Sequence, residues 1–487
     1  MLKKLLYSLH RILGTLLSIL FLVWFLSGFV MIFHRFPQIP VAGKYANMDT
    51  IKGDLPDMDI VLERCSLSQD DVCKASLKTL GGDIYFELTA KDSTYRESVN
   101  SVKQTVGRPG YSYIENYAKR WINADIVRVD TLYKLEQWIP FGYLRKDFPI
   151  YKFYFGDQDK HQLYVSSVTG EALQLTNKTN RFHAWIGAIP HWVYFTSLRQ
   201  DSRLWMNVVI WLSGIGCIMC VAGIATGIRS YLISYRKKKK WKTPYNKPAY
   251  KWHHILGFIF GIFVFTFAFS GMMSLAKVPQ WMVKVYDPDI QRAVLTPEPV
   301  LLRSYELDYR QILGMYPHQV KSIEWTSFGK TPLYKVIIGD EMYYFNAGSR
   351  ELTKLYVNEE MINNKLSAIH SEPISIRLML EYDNYYIDRE RTLPLPVYKV
   401  NVADADHSAY YIQPESGSIR YFNTNTKVRR WAYQVLHSFE LDFLVKRPVL
   451  WNILMWVTMI GGTLVSATGV WLGSGYIRKK FRKKQNR

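Results

Sequence analysis

Four apolar stretches interrupt an otherwise polar chain. Residues 12–33 and 255–276 each run 22 positions without a charge, 204–228 runs 25 and 448–477 runs 30. About 20 apolar residues suffice to cross the hydrocarbon of a bilayer, so each stretch predicts a transmembrane helix. The first is too long for the apolar core of a signal peptide, and Phe33-His34-Arg35-Phe36-Pro37 offers no small-residue cleavage site after it, so it is read as a retained helix. Between the helices, aromatic and β-branched runs alternate with polar turns. Residues 151–171, 334–348 and 398–417 each read as strand, polar turn, strand and glycine turn, the pattern of a β-hairpin. With helical stretches such as 304–315 among them, the polar blocks are predicted as α+β. The expected order is N-terminus and first helix (1–33), first block (34–203), second helix (204–228), loop (229–254), third helix (255–276), second block (277–447), fourth helix (448–477) and tail (478–487).

The chain also matches itself at an offset of 243 to 247 residues. His10-Arg11-Ile12-Leu13-Gly14 and Ser27-Gly28-Phe29 align with His253-His254-Ile255-Leu256-Gly257 and Ser270-Gly271-Met272 at a shift of 243. Trp185, His191, Leu204-Trp205, Gly223 and Gly227 align with Trp431, His437, Leu450-Trp451, Gly469 and Gly473 at 246, and the hairpins at 151 and 398 align at 247. Duplication of this kind gives a pseudo-two-fold arrangement with equivalent residues facing one another. Histidines in register are then candidate bis-imidazole sites: His10 with His253, and His191 with His437.

Charge adds a topology. Of the 62 basic residues, three lie at Lys3, Lys4 and Arg11, nine at 229–251 and seven at 478–487, the last two segments without an acid; what remains nearly balances the 41 acidic residues. The net charge of +21 therefore belongs to three short segments. Short loops rich in Lys and Arg stay in the cytoplasm, which puts both termini and the 229–254 loop inside and both blocks outside. Topology accounts for the run Arg236-Lys237-Lys238-Lys239-Lys240 without a nucleic-acid or anionic-lipid partner. Cys65 and Cys73 are a candidate disulfide in an oxidising compartment, whereas Cys217-x-x-Cys220 within an apolar helix reads as packing.

The hairpin ending Tyr410-Tyr411-Ile412-Gln413-Pro414-Glu415-Ser416-Gly417 resembles the PepSY domain, and His10-Arg11-Ile12-Leu13-Gly14, Leu436-His437-Ser438 and Ala467-Thr468-Gly469 resemble PepSY-associated transmembrane proteins. That family includes iron-regulated inner-membrane proteins and haem-containing reductases of ferric siderophores. The resemblance implies a bacterial inner-membrane protein with two periplasmic PepSY-like blocks, carrying electrons through haem b toward periplasmic iron. It departs at Ile189-Pro190-His191-Trp192, where the second half has Leu436-His437-Ser438.

Iron held by two imidazoles favours electron transfer over oxygen binding. Four histidines give two haems: His10 and His253 near the inner face, His191 and His437 near the outer. His10, Gly14 and Gly28 share one helix face, as do His253, Gly257 and Gly271, leaving a strip where a flat macrocycle or another helix can lie. The alternative is that the glycines only let helices approach and the histidines are interfacial. His254 is the rival ligand in the second half; His34, whose equivalent is Lys277, is another, and His183 a weaker one. Trp24, Phe25, Trp211 and Trp456 are expected mainly at lipid. Asp157-x-Asp159-x-His161 and Asp404-x-Asp406-His407 read as hairpin turns, where aspartate bonds the local backbone, so no separate metal site is expected. No Ser-His-Asp, H-E-x-x-H or Walker pattern appears, and Gly214-x-Gly216 lacks the context of a nicotinamide fingerprint. Electrons would come from a cytoplasmic donor or membrane quinol. Two competing expectations stand: a haem-free PepSY protein docking peptides, proteases or envelope partners, and a component of a siderophore or metal transporter.

Overall fold

A computed structural model describes residues 2–91, 93–99, 108–296 and 298–485. Among the described residues, four helices are long and apolar enough to cross a membrane: the first (Leu2–Met31), second (Ser202–Lys238), third (Pro248–Leu275) and fourth (Pro448–Gln485). Each contains a predicted apolar run, apart from the last residues of the first and third runs. The second and fourth continue past their runs into basic sequence, where long Lys and Arg side chains keep their charges in water. Asp201 caps the second by accepting from the backbone N–H of Arg203 and Leu204; Pro248 opens the third, where its missing N–H costs nothing.

The first helix packs chiefly on the fourth and the second on the third, so both main seams join one half to the other. Their core contains Leu17, Phe21, Phe25, Met219, Val264, Ala268, Met455 and Met459. Gly216 and Gly462, equivalent in the repeat, admit the rings of Phe21 and Phe25, which a Cβ at either position would meet. Leu16, Trp211 and Val449, 70%, 70% and 72% exposed, face outward.

The first block contributes β1 (Val72–Leu80), β2 (Asp83–Ala90) and β3 (Ser93–Ser98), then β4 (Ile126–Leu132), β5 (Ile150–Phe155), β6 (Gln162–Ser166) and β7 (Ala172–Thr176). The second contributes β8 (Val320–Phe328), β9 (Thr331–Ile338), β10 (Glu341–Asn346) and β11 (Thr353–Lys354), then β12 (Ile374–Met379), β13 (Val397–Val402), β14 (Ala409–Ile412) and β15 (Ile419–Phe422). β4 to β7 and β12 to β15 form equivalent antiparallel four-stranded sheets. The other strands form one sheet, in the order β11-β10-β9-β8-β1-β2-β3. The blocks are therefore not separate bodies: β1 pairs with β8, Ser76 opposite Glu324, and the order reads alike outward from that seam.

The repeat extends to buried polar groups. Lys152 on β5 and Tyr164 on β6 both bond Glu136, the lysine at 2.7 Å; Lys399 and Tyr411, at the same positions of β13 and β14, bond Asp383 at 2.6 and 2.8 Å. Each carboxylate comes from the loop before the strand, 133–149 or 380–396, and fastens it to the sheet. The Lys152 side chain is 8% exposed, so Lys152→Met leaves a largely shielded carboxylate without its cation. The expected cost is about 3 kcal/mol, seen as a lower thermal midpoint; adding Glu136→Gln should restore most of it.

Two expectations change. The Cys65–Cys73 bridge is not formed: both are free thiols, Cys65 packing beside the core under the seven-stranded sheet and Cys73 donating from Sγ to the Thr89 carbonyl across the β1–β2 pair at 3.1 Å. Phe25 lies in the bundle core and Trp24 packs beside it, not at lipid, whereas Trp211 and Trp456 are 70% and 41% exposed, as expected.

Candidate functional site

His10 and His253 meet across the bundle near the basic helix ends, ring centroids 6.1 Å apart and planes at 31°. His10 Nδ1–H donates to the Met219 carbonyl of the second helix at 3.0 Å. Its ring lies over Gly223, where a Cβ would come within 2.5 Å of Cε1 and 2.7 Å of Nδ1. His253 Nδ1 lies 3.0 Å from Thr468 Oγ1 on the fourth helix. The Thr468 hydroxyl proton goes to the Leu464 and Val465 carbonyls, so its oxygen accepts from the ring. Met219 and Val465 are repeat equivalents.

His191 and His437 form the second pair, near the sheets. They sit on short helices, Ala188–Trp192 and Leu436–Ser438, and their centroids are also 6.1 Å apart, planes at 64°. Both helices end on a left-handed residue, Val193 (φ 55°) and Phe439 (φ 52°), a conformation costing roughly 1–2 kcal/mol away from glycine. That the repeat keeps it twice, two residues after each histidine, ties the turn to histidine placement. Nδ1 of His191 contacts Ser27 Oγ at 3.2 Å and the Trp24 carbonyl at 3.1 Å; Nδ1 of His437 contacts Ser270 Oγ at 3.0 Å. Each serine donates to the carbonyl three residues back, Trp24 or Phe267, and its oxygen accepts from the imidazole.

One rule covers all four histidines. Nδ1 is the protonated nitrogen, held by a carbonyl or a hydroxyl whose own proton is already placed, and Nε2 has no hydrogen-bond partner among the described residues. Such an outer bond fixes the tautomer and raises the basicity of the other nitrogen. Burial, then the neighbouring His191, holds His437 down at about 3; burial likewise lowers His191. Both are neutral at neutral pH, the state in which imidazole binds metal.

Between His191 and His437 lies a cavity of about 370 Å³, the size of a small-molecule site. Trp24, Phe25, Phe267, Met455 and Met459 make its wall mostly apolar, and Gly271 leaves open space on one side. Phe267 stands 5.8 Å from both Phe25 and His437, ring to ring. The pairs lie at opposite ends of the bundle: Ser27, under His191, is 17 residues along the first helix from His10, about 25 Å at 1.5 Å per residue.

The rival histidines fall outside these pairs. His254 has both nitrogens engaged, Nε2–H donating to the Gly227 carbonyl at 3.2 Å and Nδ1 accepting from Thr243 at 2.9 Å, and its ring stacks on Tyr231. His34 stacks face to face on His183 at 3.6 Å, which turns ring faces rather than nitrogens toward one another. Asp157, Asp159 and His161 gather their ligand atoms within 4.8 Å, but Asp157 accepts from the backbone of Asp159 and His161 and pairs with the His161 ring, as a hairpin turn does. Asp404 likewise accepts from the Ser408 backbone.

Sequence reasoning missed the groups that orient the rings: Met219, Thr468, Ser27 and Ser270. The serines were visible in the repeated Ser-Gly that closes the first and third apolar runs; a carbonyl such as that of Met219 carries no side-chain signal. It also missed Arg389, a cation on the cavity wall. The chain matches no protein-family model and no curated protein.

Proposed function

We propose that the chain is a di-haem b protein of the bacterial inner membrane, of the PepSY-associated type, that carries electrons outward to a periplasmic ferric chelate of the siderophore class. The observation that carries this reading is the shared 6.1 Å separation of the two imidazole pairs. Two imidazoles gripping one iron through bonds of about 2 Å set their ring centroids roughly 6 Å apart. Four rings with Nδ1 tethered and Nε2 free supply the donor set, His10 and His253 toward the cytoplasm, His191 and His437 toward the periplasm. Bound there, haem b would supply one-electron exchange between ferric and ferrous iron.

The protein's own groups do the rest. Met219, Thr468, Ser27 and Ser270 orient the rings, and apolar walls exclude water. Phe25 and Phe267 fill the space between the sheet-end pair and the bundle interior. The sheets stand over the His191–His437 end, where a chelate would dock. Hard oxygen ligands hold ferrous iron less tightly than ferric, so reduction of the substrate would release it. Electrons would enter at the basic end from a separate cytoplasmic donor or from quinol.

The absorption spectrum of detergent-purified protein tests the reading. A Soret band that moves to longer wavelength and sharpens on dithionite reduction, with resolved α and β bands, is the expected result; a colourless, stable protein contradicts it and favours haem-free docking of peptides or envelope partners. Among variants, His254→Ala is expected to keep both chromophores and His253→Ala to lose one, which pyridine haemochrome assay reads directly. Loss on His254→Ala with none on His253→Ala would reverse the assignment. When dithionite-reduced protein is mixed with a ferric trihydroxamate, reoxidation with ferrous iron trapped by a chromogenic chelator is expected, at least tenfold slower in His437→Ala.

A further inference from the structure

Among the described residues, the wall of the cavity between the neutral His191 and His437 carries one charged side chain, Arg389. It sits on the 380–396 loop, which Asp383 fastens to Lys399 and Tyr411 and Asn384 fastens to Arg430 and the backbone of Asp442. The guanidinium lies 4.3 Å over the Trp451 ring, and Nη1 donates to the Ile32 carbonyl just past the end of the first helix at 2.8 Å. The nearby acids are engaged elsewhere: Glu390 turns outward to Arg35 at 2.7 Å, and Glu440 lies 3.6 Å from Arg430. Among the described residues Arg389 forms no ion pair with a carboxylate. It is half-buried, and burial presses its pKa downward.

A shielded cation with spare donors beside an apolar cavity is costly until an anion meets it. The repeat does not require it, because the position 247 residues earlier is Gly142. The cavity is thus asymmetric: neutral donors and apolar walls around most of it, and one guanidinium fork at the rim. Such a fork takes a carboxylate through paired N–H···O bonds.

We propose that Arg389 anchors a carboxylate of the macrocycle held between His191 and His437, and that its charge raises the midpoint potential of that iron. This rests on the di-haem reading above. A positive charge near the iron favours the ferrous form, which carries one positive charge fewer. Arg389 stands at the outer end, about 25 Å from the inner pair by helical rise, so its charge acts chiefly on the outer site.

Redox titration of purified full-length protein tests the assignment, with His437→Ala, which leaves the inner chromophore alone, as the reference for its potential. Arg389→Leu is expected to lower the outer potential with the inner unchanged and both haems retained, and Arg389→Lys to recover most of the shift. Haem dimethyl ester, whose carboxylates are blocked, tests the anchor: native haem should pass to excess apomyoglobin faster from Arg389→Leu than from wild type, and the ester equally fast from both. An unchanged outer potential in Arg389→Leu overturns the assignment, as does native haem leaving both proteins equally fast or a difference in transfer that persists with the ester. Loss of the outer haem in Arg389→Leu together with its loss in Arg389→Lys also overturns it, since the residue would then be structural. Wild-type protein without any Soret band overturns the di-haem reading itself, and this assignment with it.

Discussion

Replacing His437 by alanine is expected to lower haem content from two to one per chain, leaving the spectrum of the remaining chromophore intact. The His437 ring is the partner of His191 at 6.1 Å, and its removal takes one of the two proposed axial donors from the cavity while Ser270 and the Phe267 ring stay in place. The pair at the other end lies on different helices and about 25 Å away by helical rise, so it is left untouched. His10→Ala should mirror this result at the inner end, and the double variant should be colourless. Elution as a monodisperse species on size exclusion separates loss of ligand from loss of fold. Unchanged stoichiometry in His437→Ala would show that this pair does not hold iron.

Adding one methyl group at Gly223 is expected to remove the inner haem as completely as His10→Ala does. A Cβ there would stand 2.5 Å from His10 Cε1 and 2.7 Å from Nδ1, a collision with a rigid ring already tethered to Met219. The ring has to leave, breaking the bond that orients Nε2, and overpacking of this kind costs about 1–3 kcal/mol. Gly227→Ala, about one turn along, is the control, because nothing lies within 4 Å of its Cβ. Gly469→Ala, the repeat equivalent, should also be tolerated, its Cβ coming only to ordinary contact with His253 Cε1 at 3.7 Å. Equal haem content in Gly223→Ala and Gly227→Ala would contradict this account of the inner site.

The long-range order of the molecule was legible where it repeats. Helices of membrane length, the hairpins and the registered histidines each leave a local pattern, and duplication turns two local patterns into a predicted pairing. Pairing of β1 with β8 was not legible, because antiparallel contact between strands some 250 residues apart adds nothing to either strand's alternation. What sets His254 apart from His253 was not legible either, because its two nitrogens are engaged by Thr243 and Gly227 from elsewhere in the chain. Trp24 and Phe25 were expected at lipid because an aromatic residue in an apolar helix reads the same on either face; the neighbouring helices decide which face is inside. Arg389 escaped for the opposite reason: the repeat, which makes the paired histidines legible, has glycine at the equivalent position, Gly142.

The most direct test of the central claim, that imidazoles from the two halves share an iron at each end of the bundle, is the electron paramagnetic resonance spectrum of oxidised wild-type protein. Two low-spin signals of equal weight, together one pair per chain, are predicted. They should differ, since the inner rings are nearer parallel at 31° and the outer nearer perpendicular at 64°, and greater twist between axial rings gives the larger g anisotropy. His437→Ala should erase the more anisotropic signal and His10→Ala the other. A high-spin spectrum, a single low-spin species, or no iron signal at all would contradict the account.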